Sequence, residues 1–419
     1  TLDYSAAQYD DSSMQALAQA LQSGWQQVIA HCLTAEGSYT PCDFPQAEVT
    51  PSLLDDWQSR YPNMSRLYPA TPMQQGMLFH SLLERSAYVT QTYPVLEGEL
   101  DVELFQSAWQ QVVQRHDIFR TVFVGQEQGL HQLVLSAVTL PWQVLDWREL
   151  SSSAQQQALQ SFLLEDKAQG FDFEQAPLMR LALMRLSSTR YQLVWTHHHM
   201  LLDGWCLPLV YKEVMQVYQG LVSGEPVVLP EASRFEDYMA WLGAQDVEAA
   251  KAYWSETLQS VEAPTALSID KLPAGEEQGY CEQSAHLDAD ATASLQSLAK
   301  RHQTTVNTLV QLAWAYVLHR YSGDDAVVYG ATISGRPAEV AGIESMVGLF
   351  INTIPVRVDF SQAMPLAARI GRLHTDFQQS NQHGYLSLPE IQKQSQVPGG
   401  TPLFDSIMVF ENYPIESFN

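Results

Sequence analysis

The run THHHMLLDGW, residues 196–205, places three histidines in a row, followed by an aspartate and a glycine. Histidine can take up and return a proton near neutral pH, so one of the three could act as a general base. On a strand, His197 and His199 would share one face and His198 would face the other way. Histidines that alternate in this manner can also bind zinc. Three interpretations are open: a satisfied polar cluster, a zinc site, or an acid–base histidine with a structural neighbour.

A zinc site needs a third ligand and groups that orient the ligands. No other His, Cys or Asp pair in the sequence has a spacing that supports one, and the four cysteines (Cys32, Cys42, Cys206 and Cys281) match no metal framework. Cys206 adjoins the run, but a nucleophilic cysteine would need a base partner of its own. So few cysteines in so long a chain suit a reducing compartment, and the sequence predicts a cytoplasmic protein.

A strand–turn–helix junction is predicted to carry the histidine run. Residues 190–196 alternate as a strand does, and an apolar helix with a proline in its first turn follows Gly204. Such a junction brings side chains and the free N–H groups of a helix N-terminus to the edge of a pocket. That arrangement suits a reaction in which negative charge develops on an oxygen.

Helices and strands alternate along the rest of the chain. Helices are predicted at residues 12–33, 102–116, 152–169, 289–301 and 306–321, and strands at 119–124, 181–186, 190–196, 326–333 and 349–358. A helix preceded by Leu-Asp and ending in Arg-His occurs at residues 100–116 and again at 287–302. This repeat favours two similar α/β lobes.

The composition is that of a globular protein, with 419 residues, 46% hydrophobic and 16% charged. The formal net charge is −25, which argues against binding to nucleic acid or to anionic membranes, because phosphates would be repelled. No apolar segment approaches the ~18 residues of a membrane span. The chain begins with Thr1 rather than Met, which favours a piece of a longer polypeptide.

The order His198-His199-x-x-x-Asp203-Gly204 resembles the HHxxxDG signature of condensation domains from non-ribosomal peptide synthetases, which are chloramphenicol-acetyltransferase-like acyltransferases. Further segments resemble motifs of this family in collinear order, over about residues 61–419. They are YPATPMQQGMLFH (68–80), RHDIFRTVF (115–123), FEDYMAWL (235–242), VGLFINTIPVR (347–357), NQHGYLSL (381–388) and FDSIMVFENYP (404–414).

The resemblance implies two chloramphenicol-acetyltransferase-like lobes that form a V-shaped pseudo-dimer, with the active site in a tunnel between them. It implies peptide-bond formation between a donor peptidyl thioester and the amine of an acceptor aminoacyl thioester. Upstream donor and downstream acceptor peptidyl carrier proteins would deliver both on phosphopantetheine arms. The domain itself would need no metal and no bound cofactor. Its neighbours would be epimerization and adenylation domains, and its product an antibiotic or other secondary metabolite.

Roles at the site follow from the same resemblance. His199 would accept a proton from the attacking amine or orient that amine, with His198 in support. The N–H of Gly204 could donate to the oxyanion. Asp203 would be structural, paired with Arg336 in the segment ISGRPAE. Trp205 and Asn352 are candidates for the tunnel wall, although Asn352 could equally make a hydrogen bond at the end of a strand.

Relatives that share the fold are separated by their motifs. Epimerization domains carry an EGHGRE-like segment where this chain reads YGATISGRPAEV, and heterocyclization domains carry an Asp-rich motif in place of the histidines. An epimerization-type relative and a non-catalytic carrier-docking module remain the alternatives. The segment PMQQGMLFH resembles condensation domains whose donor ends in a D-residue.

Four segments are therefore expected. Residues 1–35 form a tail that resembles the end of an upstream epimerization domain, or a displaced terminal element. Residues 36–60 are a linker. Residues 61–230 form the N-terminal lobe, and residues 231–419 form a C-terminal lobe that lacks the usual final strand and helix.

Overall fold

The computed structural model describes residues 2–34, 38–125, 129–267 and 282–411. Cys281 and the last residues of the 404–414 motif lie outside these ranges. The α-helices are α1 (Asp11–Thr34), α2 (Pro51–Arg60), α3 (Pro72–Leu83), α4 (Val102–Arg115), α5 (Ser152–Gln169), α6 (Cys206–Ser223), α7 (Phe235–Gly243), α8 (Val247–Leu258), α9 (Ala289–Arg301), α10 (Val306–Ser322), α11 (Leu366–Gln382) and α12 (Leu388–Gln392). The strands are β1 (Met64–Pro69), β2 (Val89–Thr92), β3 (Val95–Glu97), β4 (Thr121–Val124), β5 (His131–Leu135), β6 (Trp142–Asp146), β7 (Met179–Arg185), β8 (Arg190–His198), β9 (Ala326–Ile333), β10 (Asn352–Asp359) and β11 (Ile407–Met408).

A five-stranded sheet forms the centre of the N-terminal half, in the order β2-β8-β7-β6, with β3 also paired to β8. The predicted hairpin of residues 181–196 is confirmed as the antiparallel pair β7 and β8. β8 runs two residues further than predicted and includes His197 and His198. Every residue of β8 after Arg190 is buried, because helices or loops cover both faces. The histidine run therefore starts inside the sheet and leaves it after His198.

Two predicted strands begin later in the structure. Residues 117–120 form a 3₁₀ turn before β4, which is closed by the Thr121 hydroxyl bonded to the Asp117 carbonyl at 2.9 Å. The apolar stretch 349–351 precedes β10 instead of belonging to it. Leu349 is buried in the core of the N-terminal half. The stretch 349–351 is therefore apolar because it packs between the two halves. A hydrophobic pattern in the sequence does not distinguish such a segment from a buried strand.

The segment 36–60, predicted to be a linker, packs onto the body in its described part. Helix α2 buries Leu54 and Trp57, and the turn before it buries Phe44. These side chains join one hydrophobic cluster with strands of the sheet β1-β5-β4. The apolar residues are separated by Pro, Thr and Ser residues, so that the composition predicts a linker although the side chains are in the core.

The C-terminal half is built on the sheet β10-β9-β11, in which β9 pairs antiparallel with β10 along its full length. Helices α10 and α11 pack on one side of this sheet. The Leu-Asp repeat corresponds to equivalent helix starts in the two halves. Asp101 accepts from the N–H groups of Glu103 and Leu104 to cap α4, and Asp288 accepts from Ala291 to cap α9.

Helix α1 confirms the predicted amphipathic helix. Leu21, Trp25 and Ile29 of this helix are each more than half exposed. None of the described helices, α1 included, combines the length and the apolar character that a bilayer crossing requires.

Candidate active site

The three histidines occupy three different environments at the end of β8. His197 and His198 are 2% and 0% exposed, and His199 is half-buried. In the strand pairing, His198 lies opposite Val89 of β2. His199 comes one residue after β8 ends, and its backbone N–H donates to the Tyr88 carbonyl at 2.9 Å.

His198 is held on both ring nitrogens. Its Nδ1 accepts from the Met200 backbone N–H at 3.2 Å, so the proton of the neutral ring is on Nε2. Nε2 lies 3.0 Å from the Ser81 hydroxyl, which itself donates to the Met77 carbonyl. Burial lowers the pKa of His198 to about 4. The ring is therefore a neutral support within the N-terminal half.

His197 is enclosed in the core. Its ring lies 4.8 Å from that of Trp195, and burial lowers its pKa to about 3. Within the described ranges, no three His, Cys, Asp or Glu side chains are grouped so that they could hold a metal ion. The zinc interpretation of the run therefore finds no third ligand among these residues.

His199 differs from His198 in its ring contacts and from His197 in its exposure. Its Nδ1 is buried but makes no hydrogen bond to any described residue. As a residue His199 is partly accessible, whereas His197 and His198 are buried. Of the three, His199 is therefore the histidine that is not closed off from a substrate.

Asp203 and Arg336 come together across the two halves of the chain. Arg336 Nη2 lies 3.2 Å from Asp203 Oδ1 and 3.4 Å from Oδ2. The side chains are 5% and 2% exposed. The Phe350 N–H also donates to Asp203 at 3.3 Å, and the guanidinium lies 4.3 Å from the centre of the Phe350 ring. The pair ties the loop after His199 to the C-terminal half.

Cys206 belongs to the same junction, a position that the sequence did not reveal. Its thiol lies 3.2 Å from the Gly348 carbonyl and 3.1 Å from Arg336 Nη2. Burial raises the pKa of this thiol, so it stays protonated and is a poor nucleophile. Since Arg336 and Gly348 are 130 and 142 residues away from Cys206 along the chain, no spacing in the sequence could indicate them.

The other predicted site residues are placed as follows. The Trp205 indole N–H donates to the Glu344 carbonyl at 2.9 Å, and so bridges the halves. Among the described residues, none accepts a hydrogen bond from the Gly204 N–H. The Asn352 amide donates to the carbonyls of Gly384 and Leu386 at 2.7 and 2.8 Å, so its N–H groups are committed to the loop 384–386.

A cavity of about 580 Å³ lies between the two halves. Thr71 to Met73 line it from the N-terminal half, and Tyr238, Arg336, Asn352 and Tyr385 are among the lining residues of the C-terminal half. None of the three histidines is among its lining residues. The cavity reaches the junction through Arg336, whose other side holds Asp203 in the loop that follows His199.

Gly335 offers a test of the close contact between the segment that carries Arg336 and the segment that carries Phe350, both in the C-terminal half. Its φ is +60°, and an added Cβ would lie 1.7 Å from the Phe350 carbonyl oxygen. We expect Gly335→Ala to lower the free energy of unfolding by more than ~1 kcal/mol, as measured by urea denaturation. Gly371→Ala in α11 is the control, because its Cβ would meet nothing within 4 Å. Equal effects of the two substitutions would contradict the close contact.

The environment of His198 predicts a pH dependence of stability. The unfolded ring takes up a proton below its ordinary pKa of 6.5, whereas the folded ring resists protonation down to about 4. Protonation therefore favours unfolding. The contribution of the neutral His198 ring to the free energy of unfolding is complete above pH 6.5 and is lost as the pH falls toward about 4. The loss should be of the order of 3 kcal/mol. We expect the stability advantage of the wild type over His198→Gln to shrink over this range, and parallel pH profiles would refute the assignment.

Comparison with known proteins places this geometry in a family. The family model described as the condensation domain matches residues 64–419. Two linear gramicidin synthase proteins of Brevibacillus parabrevis are similar over nearly the whole chain. One is 39% identical over 419 residues, which cover 99% of this chain and 5% of that protein. The other is 42% identical over 412 residues, which cover 97% of this chain and 8% of that protein. The chain thus spans less than a tenth of these curated relatives.

Solved structures agree in fold. The X-domain from teicoplanin biosynthesis superposes with a TM-score of 0.69 at 24% identity, over 81% of this chain and 76% of that one. The starter condensation domain of rhizomide synthetase gives 0.68 at 21% identity, over 82% and 78%. These likenesses confirm the predicted two-lobed α/β architecture. With the family model matched from residue 64 onward and relatives at 39–42% identity, the chain belongs to the condensation domains of non-ribosomal peptide synthetases, which are acyltransferases that form amide bonds.

Proposed function

We propose that this domain joins a carrier-bound donor peptidyl thioester, ending in a D-residue, to the amine of a carrier-bound acceptor aminoacyl thioester. The observation that carries the proposal is the contrast between the histidines. His198 is neutral and tied on both nitrogens, whereas His199 is partly accessible and has no partner on Nδ1. An imidazole that is not fully buried, at the junction of two lobes, is suited to handle the proton of an attacking amine.

The reaction follows from these positions. The acceptor amine attacks the donor carbonyl carbon, a C–N bond forms, and His199 takes the proton that the nitrogen loses or orients the amine as it attacks. The tetrahedral oxyanion can accept from the unpartnered Gly204 N–H. The C–S bond then breaks, and the departing sulfur regains a proton to become the free thiol of the donor arm. The peptide is left on the acceptor carrier.

His198, Asp203 and Arg336 support this chemistry without taking part in it. His198 fixes the start of the loop through Ser81 and Met200. Asp203 and Arg336 fix its end against the C-terminal half. Trp205 adds a hydrogen bond between the halves. Asn352 borders the inter-lobe cavity but shapes it through the loop 384–386 instead of through a free amide.

Phosphopantetheine enters only as the arm of each substrate, and the partners are a donor and an acceptor carrier protein. We place the domain in a cytoplasmic synthetase for an antibiotic or related peptide, next to epimerization and adenylation domains. The relatives named as linear gramicidin synthases support this setting.

The D-donor assignment rests on the segment 68–80 and can be tested directly. Gln74 in this segment is fully buried and donates to the Met200 carbonyl at 3.1 Å, so the segment contacts the residue after His199. We expect donor carriers loaded with matched peptides ending in a D-residue to be turned over at least about tenfold faster than their L-epimers, roughly the 1.4 kcal/mol that one misplaced group can cost. Mass-spectrometric quantification of the product on the acceptor carrier measures this. Equal turnover of both epimers would exclude the assignment while leaving peptide-bond formation intact.

A further inference from the structure

Tyr88 has an unusual backbone beside the histidine run. Its φ is +57°, and Gln303 is the only other non-glycine residue with a positive φ in the described part of the chain. A bulky side chain in this left-handed region costs about 1–2 kcal/mol. Such conformations persist where the surrounding structure imposes them, and they cluster at functional sites.

The conformation of Tyr88 has a direct consequence for His199. Tyr88 immediately precedes β2, whose first residue Val89 pairs with His198. The chain turns at Tyr88 so that its carbonyl accepts the His199 backbone N–H at 2.9 Å. This bond continues the contact between the two segments one residue past the end of β8. In an extended conformation at Tyr88, the carbonyl would point elsewhere and His199 would lose the bond.

The turn that holds Tyr88 is fixed on several sides. Within it, the Ala87 N–H donates to the Glu84 carbonyl at 2.9 Å. From outside, Gly170 at the end of α5 lies so close that an added Cβ would be 2.6 Å from the Arg85 carbonyl oxygen. Gly170 is in turn bonded through its carbonyl to Arg180 at 2.9 Å. The turn that carries the strained residue is thus packed against the end of α5, which is in turn bonded to Arg180 of β7.

We propose that Tyr88 is a positioning residue for His199, whose left-handed backbone directs its carbonyl to the His199 N–H and so fixes the histidine as β8 ends. The inference rests on the proposed role of His199 in condensation. No described residue makes a hydrogen bond to Nδ1 of the His199 ring, so the bond to its backbone N–H matters for its placement. The Tyr88 carbonyl is the protein group that holds that backbone N–H.

Two substitutions separate the backbone of Tyr88 from its ring, because both remove the ring. Tyr88→Val places a β-branched residue where φ is positive, which strongly disfavours the observed conformation. Tyr88→Gly adopts it without steric strain. We expect Tyr88→Val to lower kcat for dipeptide formation by about 10- to 100-fold with little change in KM, because a small displacement of a reacting group has effects of this size. Tyr88→Gly should restore at least about one third of the wild-type kcat, because glycine readily takes positive φ.

Gln303→Val is the matched control. It imposes the same backbone conflict at the end of α9 in the C-terminal half, where Gln303 donates to the Lys300 carbonyl. It should lower the melting temperature as Tyr88→Val does and leave kcat unchanged. A wild-type kcat in Tyr88→Val overturns the inference, and so does a Tyr88→Gly enzyme as slow as Tyr88→Val. If His199→Ala retains full activity, the proposed function fails instead, whatever the Tyr88 variants do.

Discussion

His199→Ala is expected to lower the rate of dipeptide formation from two loaded carriers by about 10²- to 10⁴-fold, the usual contribution of a positioned acid–base group. The reason is that His199 is the one residue of the three that is partly accessible, and that no described residue bonds to its Nδ1. The substitution leaves the backbone bond to Tyr88 in place and removes no hydrogen bond made by Nδ1, so the fold should be retained. Single-turnover assays with both carriers loaded measure the chemical step directly.

The matched control for this substitution is His302→Ala, which removes a histidine at the end of α9 in the C-terminal half and should leave the rate unchanged. Binding of both carriers should persist in His199→Ala, as measured by calorimetry with unloaded holo-carriers. An unchanged rate in His199→Ala would refute the proposed mechanism. Carrier binding by a wild-type domain that forms no product would instead identify a docking module without catalysis.

The sequence predicted the histidine loop and its partner because the relevant signals are local motifs. HHxxxDG marks the loop, and SGRP marks Arg336, which the structure brings to within 3.2 Å of Asp203. Strand parity was less informative, since it groups His197 with His199. β8 ends at His198, so the alternation does not extend to His199.

The separate environments of the histidines arise from contacts between distant parts of the chain. His198 is held by Ser81, which is 117 residues away in α3. His199 is held by Tyr88, in the turn that follows α3. Neither pair leaves a spacing that a periodicity can detect. The same holds for residues 36–60, whose composition indicates a linker although α2 buries Leu54 and Trp57. The environments of the histidines and the packing of residues 36–60 are therefore set by tertiary contacts, which local sequence patterns do not encode.

The bond between Asp203 and Arg336 predicts the second large effect, which is on stability. Asp203→Asn leaves the guanidinium, 5% exposed, without its counter-charge. Removing one partner of a buried ion pair costs about 3–5 kcal/mol, because the remaining charge stays desolvated. We therefore expect the free energy of unfolding, measured in urea, to fall by about this amount. Loss of activity should accompany it, since the loop that carries His199 would lose its tie to the C-terminal half.

An exposed ion pair serves as the control, because it shows how much of the effect of Asp203→Asn is due to the burial of the pair and how much to the loss of a charge. Asp146 and Arg148 lie 2.6 Å apart with side chains that are 51% and 48% exposed. Asp146→Asn should lower the free energy of unfolding much less than Asp203→Asn does, because water already screens that pair.

In the double variant Asp203→Asn/Arg336→Met, no charge is left buried, so the loss of unfolding free energy should be smaller than the sum of the losses in the two single variants. Additive costs, or an Asp203→Asn variant as stable as Asp146→Asn, would mean that the halves are held together without this bond. The inter-lobe contacts of Trp205 and Cys206 would then have to hold the loop.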